Sequence, residues 1–179
     1  MEIIDSFKYI DLKIAYDDED WIKEAKTQLI NMPLKAKEIR QRSMNDLWFY
    51  AQMVNPGYMY GDVHKEIFQW MQDYTLFGGE GLASQNKLIM LPRAHLKSHM
   101  VATWVSWIIL RHPEITILYL SATSELAEVQ LYAVKNVMES RLFNRYFPEY
   151  IHPQEGKRDK WSTKKIAVDH PFRARQGIR

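Results

Sequence analysis

Cysteine is missing from all 179 residues, which excludes disulfides, thiolate metal ligands and a cysteine nucleophile. No apolar run approaches the ~20 residues that span a bilayer, so no membrane partner is expected. The N-terminus is acidic rather than basic and apolar, unlike a secretory signal. Glycine is scarce, at seven residues, and none precedes a Lys-Ser or Lys-Thr pair. The regular phosphate-binding pattern G-x-x-x-x-G-K-[ST] is therefore absent. Also lacking is a convincing apolar strand ending in Asp-Glu, the acidic pair that phosphoryl transfer to water ordinarily needs for its metal and its attacking water.

What is present suffices for one compact domain. Apolar residues make up 46% of the chain and aromatics 13%, enough to bury a core and to exclude a disordered or fibrous chain. The formal charge of +2 is small but unevenly spread: residues 1–31 carry eight acidic and four basic side chains, and residues 141–179 four acidic and ten basic. The C-terminal stretch is thus the electrostatic candidate for contact with a phosphate backbone, the alternative being an ordinary solvated surface.

Periodicity predicts a helical N-terminal segment followed by alternating strands and helices. Asp20 to Asn31 stacks Trp21, Ala25 and Leu29 at four-residue spacing, and Met44, Leu47, Trp48 and Ala51 mark a second helix that Pro56-Gly57 ends. Asp62 caps a third helix with Val63, Ile67, Trp70, Met71 and Tyr74 on its stripe; Gly78-Gly79 breaks it, and a polar loop runs through Asn86. Leu88 to Leu91 reads as a short buried strand, followed by a helix bearing Val101, Trp104, Val105 and Ile108 that stops near His112-Pro113. Ile115 to Leu120 reads as a second buried strand, and Ser121 to Ser124 turns into a helix with Leu126, Val129, Ala133 and Val137 on one face. A basic loop from His152 to Ser162 leads to one more possible strand, Lys164 to Val168. Strand, helix, strand, helix at these lengths implies a parallel sheet with right-handed crossovers.

The segment with chemical potential is Pro92-Arg93-Ala94-His95-Leu96-Lys97-Ser98, between an expected strand and the first turn of a helix. Helix N-terminal amides favour an anion there, and a lysine and a hydroxyl would complete a phosphate site. In that reading Lys97 reaches the β- and γ-phosphates of ATP and Ser98 coordinates Mg²⁺. The competing reading is an ordinary turn with a solvated Lys-Ser pair. Tyr58 and Tyr60 offer faces for a base to stack on, or serve as packing under a helix end.

Strand, Pro-Arg-x-x-x-Lys-Ser, tryptophan-containing helix, then a strand ending in Ser-Ala-Thr and a Glu/Ala/Gln-bearing helix resembles the ATPase core of tailed-phage terminase large subunits, the DNA-packaging motors. The resemblance covers roughly residues 58–179, with residues 1–57 as a helical lead-in. It implies an α/β P-loop fold of the RecA/ASCE type, a parallel sheet flanked by helices. It further implies an ATPase that couples ATP and Mg²⁺ to translocation of double-stranded DNA into a procapsid. Portal protein, the small terminase subunit and other copies in a homo-oligomeric ring would be its partners, in the host cytoplasm and transiently at the portal.

By this resemblance Lys97 and Arg93 are the catalytic pair, Arg93 sensing the γ-phosphate. Pro92 to His99 form the nucleotide-binding loop, and His64 stands in for the adenine-reading glutamine of the family. Leu96 departs from the family's commoner glycine. Ala174-Arg175-Gln176-Gly177-Ile178 resembles the stretch before the Walker B strand, which with the nuclease domain would lie beyond Arg179. A chain truncated or split at that point is expected to bind nucleotide weakly and to hydrolyse it poorly or not at all. Ile166-Ala167-Val168-Asp169 is the nearest internal candidate for the acidic strand, but it reads better as an ordinary strand end. A helicase-class P-loop ATPase, and a non-enzymatic DNA- or protein-binding module, are the two rivals.

Overall fold

A computed structural model describes residues 3–8, 10–73, 87–158 and 160–171. The described residues form seven α-helices: α1 (Asp20–Ile30), α2 (Leu34–Asn45), α3 (Leu47–Val54), α4 (Asp62–Gln72), α5 (Lys97–Arg111), α6 (Ser124–Glu139) and α7 (Arg141–Tyr146), with a short 3₁₀ turn at Glu155–Lys157. None of these helices is long and apolar enough to cross a membrane.

Helix α5 lies at the centre, packed against α2, α3, α4 and α6. It is buried on nearly every side, through Met100, Ala102, Val105, Trp107, Ile108 and Leu110 as well as the polar Thr103 and Ser106. The surrounding helices contribute Leu47, Tyr50 and Ala51 from α3, Phe68 and Met71 from α4, and Val134, Val137 and Met138 from α6. One core therefore draws on both sides of residue 57. Three of the polar groups inside it are paired, which avoids a desolvation cost. Tyr50 Oη lies 3.0 Å from Ser106 Oγ, Trp107 Nε1 donates to the Ser43 carbonyl at 2.8 Å, and Tyr150 Oη donates to the Leu110 carbonyl.

Among the described residues there is no strand and no sheet, which overturns the expected parallel-sheet P-loop fold of the RecA/ASCE type. Leu88 to Leu91 and Ile115 to Leu120 are the apolar runs on which that expectation rested. Leu88, Met90, Leu118 and Leu120 are each about 80% exposed, and no backbone–backbone hydrogen bond among the described residues involves residues 116–121. A short apolar run has no intrinsic strand character until another chain segment accepts and donates along it. Neither run has such a neighbour among the described residues, and the third, Lys164 to Val168, makes only a local turn, Ser162 N to the Lys165 carbonyl at 2.9 Å, beside the adjoining bond from Asp169 N to the Tyr150 carbonyl, 2.9 Å.

The expected helices fare better, with local shifts. In α1 the buried face is Ile22, Ala25, Lys26 and Leu29, leaving Trp21 at its edge. Lys26 is buried because its ammonium reaches Asp18 at 2.6 Å and the Lys13 carbonyl at 2.8 Å. In α4 the core residues are Phe68 and Met71, while Val63 and Trp70 are exposed. In α6 only the C-terminal half turns inward, and Leu126 and Val129 face out. Tyr74, Gly78-Gly79, Asn86 and the stretch Ala174 to Ile178 lie outside the described residues.

Helix α2 has no apolar stripe, and its inward face is held by charge. Arg40, 1% exposed, meets Glu149, 0% exposed, with Nη2 to Oε1 at 2.6 Å and Nη1 to Oε2 at 3.3 Å. The same guanidinium donates to the carbonyls of Ser6 and Tyr146, each at 2.6 Å, and lies 4.9 Å from the ring centres of Phe7 and Phe147. It thereby ties the N-terminal segment, α2 and α7 together. Removing one partner of a buried pair leaves an uncompensated charge, so Glu149→Ala should lose about 3–5 kcal/mol in chemical denaturation; a loss below about 1 kcal/mol, the value of an exposed pair, would contradict this role.

Candidate functional site

The loop from Pro92 to Leu96 delivers the chain into α5. Its backbone is unusual at two residues with side chains, Ala94 at φ 64° and Leu96 at φ 54°. Both lie in the left-handed region, which costs an L-residue about 1–2 kcal/mol. Leu96 occupies the place where a phosphate loop ordinarily has glycine, and it adopts the left-handed backbone that glycine would take freely. Its side chain is half-buried against the core, and that packing offsets the strain.

Leu96 is the N-cap of α5 and supplies no side-chain acceptor. Its carbonyl takes the Met100 amide at 2.8 Å, but among the described residues the amides of Lys97, Ser98 and His99 have no hydrogen-bond acceptor. Three first-turn donors at the positive end of a fifteen-residue helix make a favourable setting for an anion. The Lys97 side chain folds back over the loop, where its ammonium donates to the carbonyls of Leu91 and Pro92. His95 Nδ1 lies 2.9 Å from the Arg93 carbonyl, closing the loop on itself. Pro92, Arg93, Ala94, His95 and Ser98 are exposed.

Beside this helix end lies an aromatic cluster. Tyr58 stacks on the His99 ring with centres 3.9 Å apart and planes 18° from parallel, and His99 Nε2 is 2.9 Å from Tyr60 Oη. Tyr60 packs edge-on against Phe68 and Trp48, and the His64 ring lies 5.8 Å from it. Burial pushes the Tyr60 hydroxyl well above the usual phenol range and the His99 imidazole below its ordinary 6.5. His99 is therefore neutral near pH 7, and its ring is committed to the two tyrosines. Its backbone amide is available to a ligand of the loop.

His64 is likewise partly committed. Its Nδ1 accepts the Gly61 amide at 3.0 Å, helping to cap α4, so a neutral ring presents Nε2–H as its one free group. It can donate to a base but cannot imitate both the donor and the acceptor of a glutamine amide. Asp169, the nearest internal candidate for an acidic strand end, accepts the His152 amide at 3.0 Å with Oδ2. That carboxylate serves a turn.

Among the described residues no group of three or more His, Asp or Glu side chains is placed to hold a metal. Ser98 offers one exposed hydroxyl; a Mg²⁺ ion there would depend on phosphate oxygens and water for its other ligands, as Mg²⁺ commonly does. The loop thus brings Lys97, Ser98 and the free amides to one helix end, with Tyr58, Tyr60 and His64 linked to that end through His99. The ring of His99 is the member that the sequence pattern did not reveal as an organiser, although Tyr58-x-Tyr60 was visible as a pair.

No family model matches this chain, and no curated protein or solved structure aligns with it.

The strain in the loop has a direct check. Ala94 is exposed, so Ala94→Gly relieves ~1–2 kcal/mol of left-handed strain against ~0.5–1 kcal/mol of added chain entropy. The variant should be more stable by up to about 1 kcal/mol in urea unfolding; destabilisation would mean that the backbone at Ala94 is not left-handed.

Proposed function

We propose that Pro92 to Ser98 binds the phosphates of ATP, and that the chain is the nucleotide-binding portion of a DNA-packaging motor of the terminase large-subunit type. The carrying observation is the combination at the start of α5: free first-turn amides, left-handed Leu96 and Lys97 folded over the loop. An anion entering this site would draw the Lys97 ammonium away from two neutral carbonyls onto a charge, a stronger bond than those it leaves. Tyr58, 46% exposed, and the Nε2–H of His64 give a base a face and a donor nearby. Arg93 is exposed on the same loop and would stabilise charge on a transferred phosphoryl group.

This reading does not require the sheet that the sequence suggested. It asks only for a helix end, a lysine and a loop that can fold around phosphate. Double-stranded DNA would meet the basic stretch at Lys157, Lys164 and Lys165, all exposed. Portal protein, a small subunit and further copies in a ring would complete the motor in the host cytoplasm. With no acidic cluster beside the loop among the described residues, weak nucleotide binding and little hydrolysis are expected of these residues alone. A non-enzymatic interaction module is the second reading, favoured by the exposure of Leu118 and Leu120.

Thermal unfolding with and without Mg²⁺-ATP separates the two. A ligand present at a hundred times its Kd adds about 2.7 kcal/mol to the folded state, so millimolar Mg²⁺-ATP should raise the midpoint by several degrees and Lys97→Ala should remove the rise. No shift with the unaltered chain, or an undiminished shift in Lys97→Ala, would refute the phosphate site and put the interaction module first.

A further inference from the structure

A cavity of about 510 Å³ lies away from the α5 N-terminus, between α5, α6 and two non-helical stretches, residues 115–119 and 164–168. Its walls are apolar, with Val105 and Ile109 from α5, Leu131 from α6, and Ile117 and Ile166 from the two stretches. Lys160, Lys164 and Lys165 stand at its edge. Lys164 is 3.8 Å from Glu128; Lys160 and Lys165 have no acidic partner within ion-pair distance among the described residues. A tight turn holds the last two lysines, since the Ser162 amide donates to the Lys165 carbonyl at 2.9 Å and Ser162 Oγ accepts the Lys165 amide at 3.1 Å.

Three features say what such a cavity would take. The backbone of residues 116–121 makes no backbone–backbone hydrogen bond among the described residues, so it offers a row of donors and acceptors. Its composition, with Thr116, Ile117 and Tyr119, is that of a strand lacking a neighbour. Tyr119 Oη, also at the cavity, is shut off from solvent with no hydrogen-bond partner among the described residues, a state that costs free energy until another group supplies one. A lipid tail would fill the apolar space but would satisfy neither the backbone nor the hydroxyl. An extended peptide does both, and the lysines at the edge select one with acidic residues at its end.

We propose that residues 115–119 and the facing stretch 164–168 receive an extended, apolar segment of a partner protein carrying acidic residues at one end. Residues 116–121 supply the main-chain contacts, Ile117 and Leu131 the apolar wall, and Lys164 and Lys165 the anchor for the acidic end. This docking site shares no residue with the Pro92 to Ser98 loop, so it stands or falls apart from the phosphate site, but it gives Lys164 and Lys165 to an acidic peptide in place of DNA.

The test is fluorescence anisotropy of the full chain with a labelled peptide of two aspartates followed by alternating valine and threonine. A second peptide with the same side chains is N-methylated at alternate amides. The first should bind, and the methylated one should lose binding because its main-chain donors are gone. Lys164→Glu combined with Lys165→Glu should weaken the first by about tenfold, and Leu118→Asp, at a 79% exposed position where folding is undisturbed, should also weaken it. No binding of the first peptide overturns the proposal. So does equal binding of the methylated peptide, which would indicate a site for any amphiphile, and so does a chain that self-associates through these residues and excludes the peptide.

Discussion

Burial of α5 on nearly every side is the constraint on which the other elements depend. Trp107 alone removes an aromatic surface from water that is worth about 4–6 kcal/mol by area, and its indole N–H is held by the Ser43 carbonyl. Tyr50 and Tyr150 add further bonds to Ser106 and Leu110. These fix α5 in rotation and along its axis, and so decide where Lys97 emerges. The left-handed backbone at Leu96 follows from that placement. Its cost of ~1–2 kcal/mol is small beside the packing that holds the helix, so the strain is tolerated.

A second constraint is electrostatic. Arg40 and Glu149 meet in the interior with almost no solvent contact, and the guanidinium gathers carbonyls from two distant segments. Apolar burial alone would let α2 slide over the core, since its face carries Arg40 and Ser43 with Met44 as the one apolar residue. The bidentate fork sets its register. Both constraints act on the half of the molecule that supports the loop, whereas the Thr116 to Leu120 stretch is held loosely, with Leu118 and Leu120 in water and without backbone–backbone hydrogen bonds among the described residues.

Legibility in the sequence followed the physics of each element. Helices α1, α3, α4, α5 and α6 were visible because apolar residues recur at three- and four-residue spacing. The exact stripe was misjudged where a lysine is buried by a specific partner, as at Lys26, or where a helix turns only one half inward, as in α6. Helix α2 was not read as a helix of its own, because an inward face built on Arg40 has no hydrophobic periodicity; its Met44 was joined to the stripe of α3, from which Asp46 separates it. The two runs expected as buried strands failed for another reason. Leu88 to Leu91 and Ile115 to Leu120 have strand composition, but a strand is a property of a pair, and periodicity carries no record of the partner. In the candidate site, Lys97, Ser98 and the helix start could be located from their order, and so could Tyr58 and Tyr60. That Leu96 would take a glycine's conformation, and that His64 and His99 would spend ring nitrogens on Gly61 and Tyr60, are facts of three-dimensional packing.

The central claim is that the first turn of α5 is an anion site organised by Lys97. Its most direct measurement is amide hydrogen exchange of Lys97, Ser98 and His99, followed by NMR with and without Mg²⁺-ATP. Those three amides donate to no protein acceptor among the described residues and should exchange fast in the free chain, then slow markedly when nucleotide is present while amides at the far end of α5 stay unchanged. Unaltered exchange at all three under saturating nucleotide, or uniform slowing along the whole helix, would contradict the claim.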